Sequence, residues 1–128
     1  MINILAVGLG GFIGSIFRYL LGIFVHSICR QSEFPYGTLS ANVLGCLIIG
    51  LLSGWVDDRI PLSATARLFL FTGLLGGFTT FSAFGLDTLT LLQGDSSGGL
   101  LSALFYVVAH IVLGLIAVSF GHWLARLF

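Results

Sequence analysis

Four long apolar stretches, separated by short polar segments, make up almost all of this 128-residue chain. They cover about residues 2–26, 35–56, 62–92 and 98–126. Each is as long as the roughly 20 residues that a helix needs to cross the hydrocarbon core of a bilayer. Only 8% of the residues are charged, whereas about a quarter are charged in a soluble domain. The pattern predicts an all-α, multi-pass membrane protein in which residues 1–128 form a single transmembrane domain surrounded by lipid.

The few charged residues exclude several classes of protein. Five arginines are balanced by five acidic residues, and no basic cluster offers the positive surface that binding to a phosphate backbone requires. The sequence contains no pair of deep carboxylates, no Cys/His cluster with the spacing of metal ligands, and no glycine-rich loop after a strand. We therefore expect neither a nucleic-acid partner nor an enzyme.

The arginines indicate the orientation in the membrane only weakly. Four crossings place Arg59, Arg67 and Arg126 on one side and Arg30 on the other, where Arg18 joins it if its side chain extends to the interface. Either the three arginines mark the cytoplasmic side of a single topology, or copies insert in both orientations and pair antiparallel. Because four helices alone enclose little space, we expect a homo-oligomer.

Small residues recur at helical spacing in three of the stretches. The first stretch carries Gly8, Gly11, Ser15, Arg18 and Gly22 on one face, the second carries Gly50 and Gly54, and the fourth carries Ala103, Tyr106, His110, Gly114, Ala117 and Gly121. Such faces allow helix backbones to approach closely in lipid. They suit packing within one subunit as well as packing between two, and we favour packing within the subunit.

Residues 73–85 form the most informative segment and fall near the middle of the third stretch. Gly76 and Gly77 are followed by Thr79 and Thr80, and glycine and β-branched residues are poor helix formers. In hydrocarbon an interrupted helix is tolerated only where protein or a cavity satisfies its backbone. One interpretation is a break whose carbonyls bind a small cation or whose helix ends favour anions. The other is a kinked helix whose glycines admit a neighbouring backbone.

Aromatic and hydroxyl side chains follow this segment directly. Phe81 and Phe84 share a helix face, with Ser82 and Thr80 on adjoining sides. The edge of an aromatic ring carries positive character, so rings combined with a few hydroxyl donors can hold a small bare anion. In a chain with twelve phenylalanines, however, contact with lipid or with the core explains most such pairs.

Polar side chains in the other stretches are open to two interpretations. Asn42 in the second stretch, and Tyr106 with His110 in the fourth, either pin neighbouring helices or line a polar path. Arg18 either draws anions into a vestibule or extends to the interface. We expect Asp87 and Asp95 at the interface or in a loop, which leaves His110 without an intramembrane carboxylate. These alternatives stay open on the residues alone.

Three ordered motifs resemble the Fluc fluoride channels, the CrcB-like proteins. They are Gly-Gly-Phe-Ile-Gly-Ser-Ile-Phe-Arg-Tyr at 10–19, Gly-Thr-Leu-Ser-Ala-Asn-Val-Leu-Gly at 37–45, and Gly-Leu-Leu-Gly-Gly-Phe-Thr-Thr-Phe-Ser-Ala-Phe at 73–84. The resemblance extends over essentially the whole chain. It implies an antiparallel, dual-topology homodimer of four-helix subunits, each with a third helix broken in mid-membrane, that exports fluoride passively across the cell (plasma or inner) membrane and so relieves fluoride toxicity.

The resemblance also implies roles for individual residues. A structural Na⁺ at the dimer centre is held by the backbone carbonyls of Gly76 and Thr79. The matching positions in the fluoride pore and its vestibule are Phe81, Phe84, Asn42, Ser82, Tyr106 and Arg18. Ala83 stands where the family usually has threonine, so a hydroxyl role there is absent or has moved to Thr80 or Ser82. His110 stands where some members have serine, so its role and protonation are open.

Two other functions compete with a fluoride channel. A small proton-coupled multidrug exporter also has four helices and can insert in both orientations, but it needs a deep carboxylate, which the first stretch lacks. A membrane subunit that only packs within a larger complex is the second alternative.

Overall fold

The computed structural model describes residues 1–30, 32–58, 61–94 and 99–127. The first helix is Ile2–Ile28, the second is Tyr36–Asp58 and the last is Gly99–Leu127, while Ala64–Gln93 forms the third span. Within the described residues, four helices are long and apolar enough to cross a membrane, which confirms the predicted multi-pass membrane protein. The polar loops expected around 57–61 and 94–99, with Arg59 and Asp95, lie largely outside the described residues.

The third span consists of several helical pieces. It begins as Ala64–Arg67, whose first turn is capped by the Ser63 hydroxyl, and continues as a π-helical segment, Leu68–Leu75. A single turn, Gly76–Phe78, and a second helix, Phe81–Gln93, complete it. The π-helical segment was not expected from the sequence. Such segments are rare and occur frequently at functional sites.

The first helix and the beginning of the third span touch backbone to backbone. Gly10 and Gly14 are the buried residues of the first helix. A Cβ atom added at Gly14 would overlap the Leu74 carbonyl oxygen and lie 2.8 Å from the Phe78 nitrogen, and one at Gly77 would lie 2.5 Å from the Gly11 oxygen. The two helices can cross this closely because each carries a pair of glycines four residues apart, Gly10 with Gly14 and Gly73 with Gly77.

The second and last helices form the other close pair. A Cβ atom added at Gly50 would overlap the Val118 carbonyl oxygen, and one at Gly121 would overlap the Leu47 carbonyl oxygen. Gly54 faces Ala125 and His122 in the same way. The small residues of these two helices thus pack within the subunit, as we favoured from the sequence.

The small-residue face of the first helix is a different case. Gly8 and Ser15 are exposed, and a Cβ atom added at Gly8 would meet nothing within 4 Å. The face that packs inside the subunit is that of Gly10 and Gly14, so packing within the subunit was the wrong interpretation for Gly8 and Ser15. In a helix this rich in glycine, both faces are narrow enough for close contact, and only the neighbouring backbone determines which one is used.

The two parts of the third span pack against different neighbours. Residues 64–78 lie against the first helix, whereas Phe81–Gln93 lies against the last helix. The second helix contacts both parts and also packs along the last helix. The point at which the third span changes partner therefore lies beside the second helix, and this is where the cavity described below is found.

We predict that Gly14→Ala destabilises the fold of the subunit much more than Gly8→Ala does. The added methyl group at position 14 must displace the backbone of the third span, at a cost of about 1–3 kcal/mol, whereas position 8 has open space. Thermal unfolding of both variants in detergent measures the difference. Equal melting temperatures for Gly14→Ala and the parent would contradict the close crossing.

Candidate functional site

A cavity of about 510 Å³ lies where the third span changes partner. It is lined by Asn42, Gly45, Cys46, Ile49, Phe71, Leu75, Gly76, Thr79, Thr80, Phe81, Phe84, His110 and Ile111. The second helix, both parts of the third span and the last helix all contribute to it. Most of the residues predicted for a pore or an ion site therefore line one space, although they are far apart in the sequence.

Two residues with extended backbone angles stand between the helices of the third span. Thr79 has φ −90° and ψ 159°, and Thr80 has φ −153° and ψ 124°. The helical pieces before them comprise 4, 8 and 3 residues, and the helix after them 13. Thr79 and Thr80 thus lie near the middle of the span, where lipid cannot satisfy a backbone group that has left the helical hydrogen-bond pattern.

The Asn42 side chain satisfies this backbone. Its Oδ1 accepts a hydrogen bond from the Thr80 nitrogen at 2.8 Å, and its Nδ2 donates to the Thr80 carbonyl oxygen at 3.0 Å. The amide therefore bonds to both the backbone N–H and the backbone carbonyl of Thr80. It retains one further N–H, since an amide nitrogen carries two hydrogens.

Two backbone carbonyls lose their regular helical donors at the same place. In a continuous helix the Thr80 nitrogen would bond to the Gly76 oxygen, but here it bonds to Asn42. The Ala83 nitrogen would bond to the Thr79 oxygen, but here it bonds to the Thr80 hydroxyl at 3.2 Å. Gly76 and Thr79 are the two residues whose carbonyls the family resemblance assigns to sodium.

The hydroxyl groups beside these carbonyls have different roles. The Thr79 hydroxyl donates to the Leu75 oxygen at 2.9 Å, so it is bonded within its own helix. The Thr80 hydroxyl caps the helix Phe81–Gln93 and lies 3.2 Å from the Ser82 hydroxyl, and either of these two can donate to the other. Ser82 is exposed on the surface of the subunit. Ser82 and Thr80 thus form a small hydroxyl pair at the start of that helix.

A row of aromatic rings leads away from the cavity. The centroids of Phe81 and Phe84 are 5.5 Å apart, Phe84 stacks on Tyr106 at 5.6 Å, and Tyr106 meets Phe34 edge-on at 5.3 Å. Phe81, at one end of the row, is 84% exposed. The row connects the middle of the third span with the segment before the second helix. Phe34 was not singled out from the sequence.

Tyr106 is fully buried and donates its hydroxyl hydrogen to Oδ2 of Asp87 at 2.9 Å. Asp87, expected at the interface or in a loop, is not in a loop: it is a half-buried residue of the helix Phe81–Gln93. The pair was not expected from the sequence, because Asp87 lies close to the end of the third apolar stretch. The signal in the sequence was a tyrosine inside an apolar stretch, because its hydroxyl needs a hydrogen-bond partner wherever it is buried.

His110 lies beside these rings. Its Nδ1 is 3.0 Å from the Tyr106 carbonyl oxygen, and its ring centroid lies 4.6 Å from that of Phe84 and 4.3 Å from that of Tyr106. Among the described side chains, Nε2 of His110 is a buried nitrogen without a hydrogen-bond partner. Buried polar atoms of this kind are uncommon in folded proteins.

Arg18 is not brought to this cavity. It is half-buried and lies on the first helix in an open groove with Ser15, Tyr19 and His26. The structure therefore gathers the other predicted residues at or next to the cavity, with Arg18 apart.

These features define a small multi-pass membrane protein with an aromatic, sparsely polar cavity at mid-span that is suited to an ion. The family model described as "CrcB-like protein, Camphor Resistance (CrcB)" matches residues 5–122. The chain belongs to this family, as its motifs indicated.

Relatives match the chain along almost its full length. A "Fluoride-specific ion channel FluC" of Agrobacterium fabrum is 48% identical over 98% of both chains. A protein of the same name from Chloroflexus aurantiacus is 49% identical over 100% of this chain and 98% of its own. A third, from Rhizobium meliloti, is 44% identical over 98% of both.

We predict that Asn42→Leu loosens the backbone at Thr80. The leucine fills similar space but leaves the Thr80 N–H and C=O without partners, which costs about 1–3 kcal/mol per group. Hydrogen exchange of the Thr80 amide should therefore become about tenfold or more faster. As a matched control, Thr90→Val removes only a hydroxyl bonded within its own helix, and unchanged exchange in Asn42→Leu would contradict the role given to Asn42.

Proposed function

We propose that this protein is a fluoride-specific ion channel, as its relatives are named. The observation that carries the proposal is the cavity at mid-span, where aromatic rings stand beside a few hydroxyl and amide donors inside an otherwise apolar bundle. These groups offer a small anion partial positive charges rather than the full charge of an ionised side chain. The ion moves passively down its gradient and out of the cell across the plasma membrane, which relieves fluoride toxicity.

Dehydration is the main obstacle to such a path. Fluoride holds its water tightly, so donors along the route must replace that water. The second N–H of Asn42 and the one hydroxyl hydrogen that the Thr80–Ser82 pair does not use internally are donors at or next to the cavity. The edges of Phe81 and Phe84 add weaker positive character. Each site must bind weakly enough to release the ion. Narrowness and the small number of donors favour fluoride over chloride.

Tyr106 enters this scheme as a positioning residue. Its hydroxyl hydrogen is engaged by Asp87, while its ring stacks on Phe84. The pair thereby fixes the inner aromatic wall of the path. Arg18, in its open groove, attracts anions toward an entrance without touching the cavity.

We further propose that two copies assemble as an antiparallel dimer. Gly76, Phe81 and Ser82 are exposed although they lie at mid-span, and lipid leaves a hydroxyl or a carbonyl there unsatisfied. Ser15 is exposed on the first helix in the same way. A second copy covers these groups and completes a passage that one subunit leaves open, and the weak arginine asymmetry fits insertion in both orientations.

A structural sodium ion fits the interrupted third span. The carbonyls of Gly76 and Thr79 have each lost the helical donor that would have bonded them, and carbonyl oxygens are ligands that hard cations accept. When bound, the ion neutralises partial negative charge that would otherwise repel fluoride. In the antiparallel dimer the carbonyls of Gly76 and Thr79 from both copies would hold the ion, which would be structural and not transported.

Proteoliposomes made with the purified protein test the function. We expect fluoride efflux without any pH gradient, chloride efflux that is far slower, and a loss of fluoride efflux when sodium is replaced by a larger cation. Cation export driven by a pH gradient would instead indicate an exporter, and the absence of all flux would indicate a packing subunit.

Phe84→Ile serves as the matched variant in the same assay. Losing an aromatic contact of about 0.5–1.5 kcal/mol slows efflux about two- to tenfold. Phe120→Ile is the control, because Phe120 is exposed on the last helix beside Trp123 and lines no part of the cavity. Equal rates for well-folded Phe84→Ile and the parent would remove Phe84 from the path.

We predict that a single reporter cysteine lies outside the cell in some copies of the protein and inside it in the others. In a background with Cys29 and Cys46 replaced, Ser32→Cys in the loop before the second helix should react with a membrane-impermeant thiol reagent on about half of the copies in intact cells. The remaining copies should react after permeabilisation. Complete labelling or none before permeabilisation would overturn the antiparallel pair.

A further inference from the structure

The position of hydrogen on the His110 ring follows from its hydrogen bond. Nδ1 lies 3.0 Å from the Tyr106 carbonyl oxygen, and a carbonyl only accepts, so Nδ1 carries the hydrogen. In the neutral ring Nε2 then carries a lone pair. That lone pair is buried, and nothing in the described part of the subunit donates a hydrogen bond to it.

A lone pair at this place opposes an anion. His110 lines the cavity and its ring lies against Phe84, one of the rings assigned to the fluoride path. The buried Nε2 lone pair of a neutral His110 therefore adds partial negative charge beside a cavity whose ion needs donors. A protonated ring would present an N–H and a positive charge at the same position.

We propose that proton binding at His110 controls fluoride conduction, so that conduction rises as the pH falls. The inference rests on the fluoride conduction proposed above. A proton on Nε2 raises the affinity for fluoride beside Phe84, and bound fluoride raises the affinity of Nε2 for the proton. The two effects are equal because both express one coupling free energy between the two sites. Burial strengthens the effect, since water does not compete for Nε2.

The surroundings of His110 contain few other titratable groups. The last helix packs against the second helix and against Phe81–Gln93. Cys46 of the second helix lines the same cavity. Asp87 of the helix Phe81–Gln93 accepts a hydrogen bond from Tyr106, whose ring lies 4.3 Å from that of His110. Of these, His110 is the group whose ordinary protonation range lies near neutral pH.

Fluoride efflux at matched internal and external pH tests the proposal, with protein-free vesicles subtracted at each pH. Above its midpoint a single site loses protons about tenfold per pH unit, so we expect the parent to conduct at least about tenfold faster at pH 6 than at pH 8. His110→Gln places a permanent N–H donor there and should conduct equally at both. His110→Phe, which has no donor, should be slow at both.

The outcomes separate this inference from the proposed function. Two results would overturn the role of His110 without affecting the proposed channel function. One is steady fluoride efflux at the same rate at pH 6 and pH 8, and the other is a His110→Gln variant that depends on pH as strongly as the parent. Absence of fluoride efflux at every pH would overturn both.

A second measurement does not depend on conduction. In a background of His26→Asn and His122→Asn, His110 is the only histidine left, and ¹⁵N NMR reports each ring nitrogen. We expect hydrogen on Nδ1 in the neutral ring, and a titration midpoint that is higher in fluoride than in chloride. The other tautomer, or equal midpoints in the two salts, would overturn the proposal.

Discussion

The pairing of the Asn42 amide with the peptide groups of Thr80 is the interaction on which the rest of the site depends. Mid-span in a membrane, a backbone that leaves the helical pattern has no water to bond, so the extended residues Thr79 and Thr80 persist only with an internal partner. Asn42 supplies both a donor and an acceptor from the second helix. Because it takes the Thr80 nitrogen, the Gly76 carbonyl is left without its helical donor.

The glycine crossings make this pairing possible. Backbone contact between the first helix and residues 64–78, and between the second and last helices, fixes two rigid pairs. The third span bridges them by changing partner between Phe78 and Phe81. In lipid, apolar side chains gain little from leaving the hydrocarbon for each other, so close backbone approach and buried hydrogen bonds are what hold such pairs together.

The polar groups around the cavity are few, and each has a distinct role. Asp87 bonds to Tyr106 and Thr80 caps a helix, which leaves Ser82 and one N–H of Asn42 as donors for the proposed ion. His110 differs from all of these because its free nitrogen is an acceptor until it binds a proton. If the cavity carries an anion as proposed, a change in a single donor alters the affinity for that anion, because the donors are so few.

The four spans, the polar candidates and the family could all be predicted from the amino-acid sequence, because membrane insertion depends on local composition and the motifs are contiguous. The spanning helices and the family were confirmed. Three features became visible only in the folded subunit. Gly10 and Gly14, rather than Gly8 and Ser15, pack inside it, residues 68–75 form a π-helix, and Asp87 bonds to Tyr106. When nearly every residue is apolar, periodicity does not distinguish one helix face from another, so each contact is chosen by the fit of backbones and hydrogen bonds distant in the sequence.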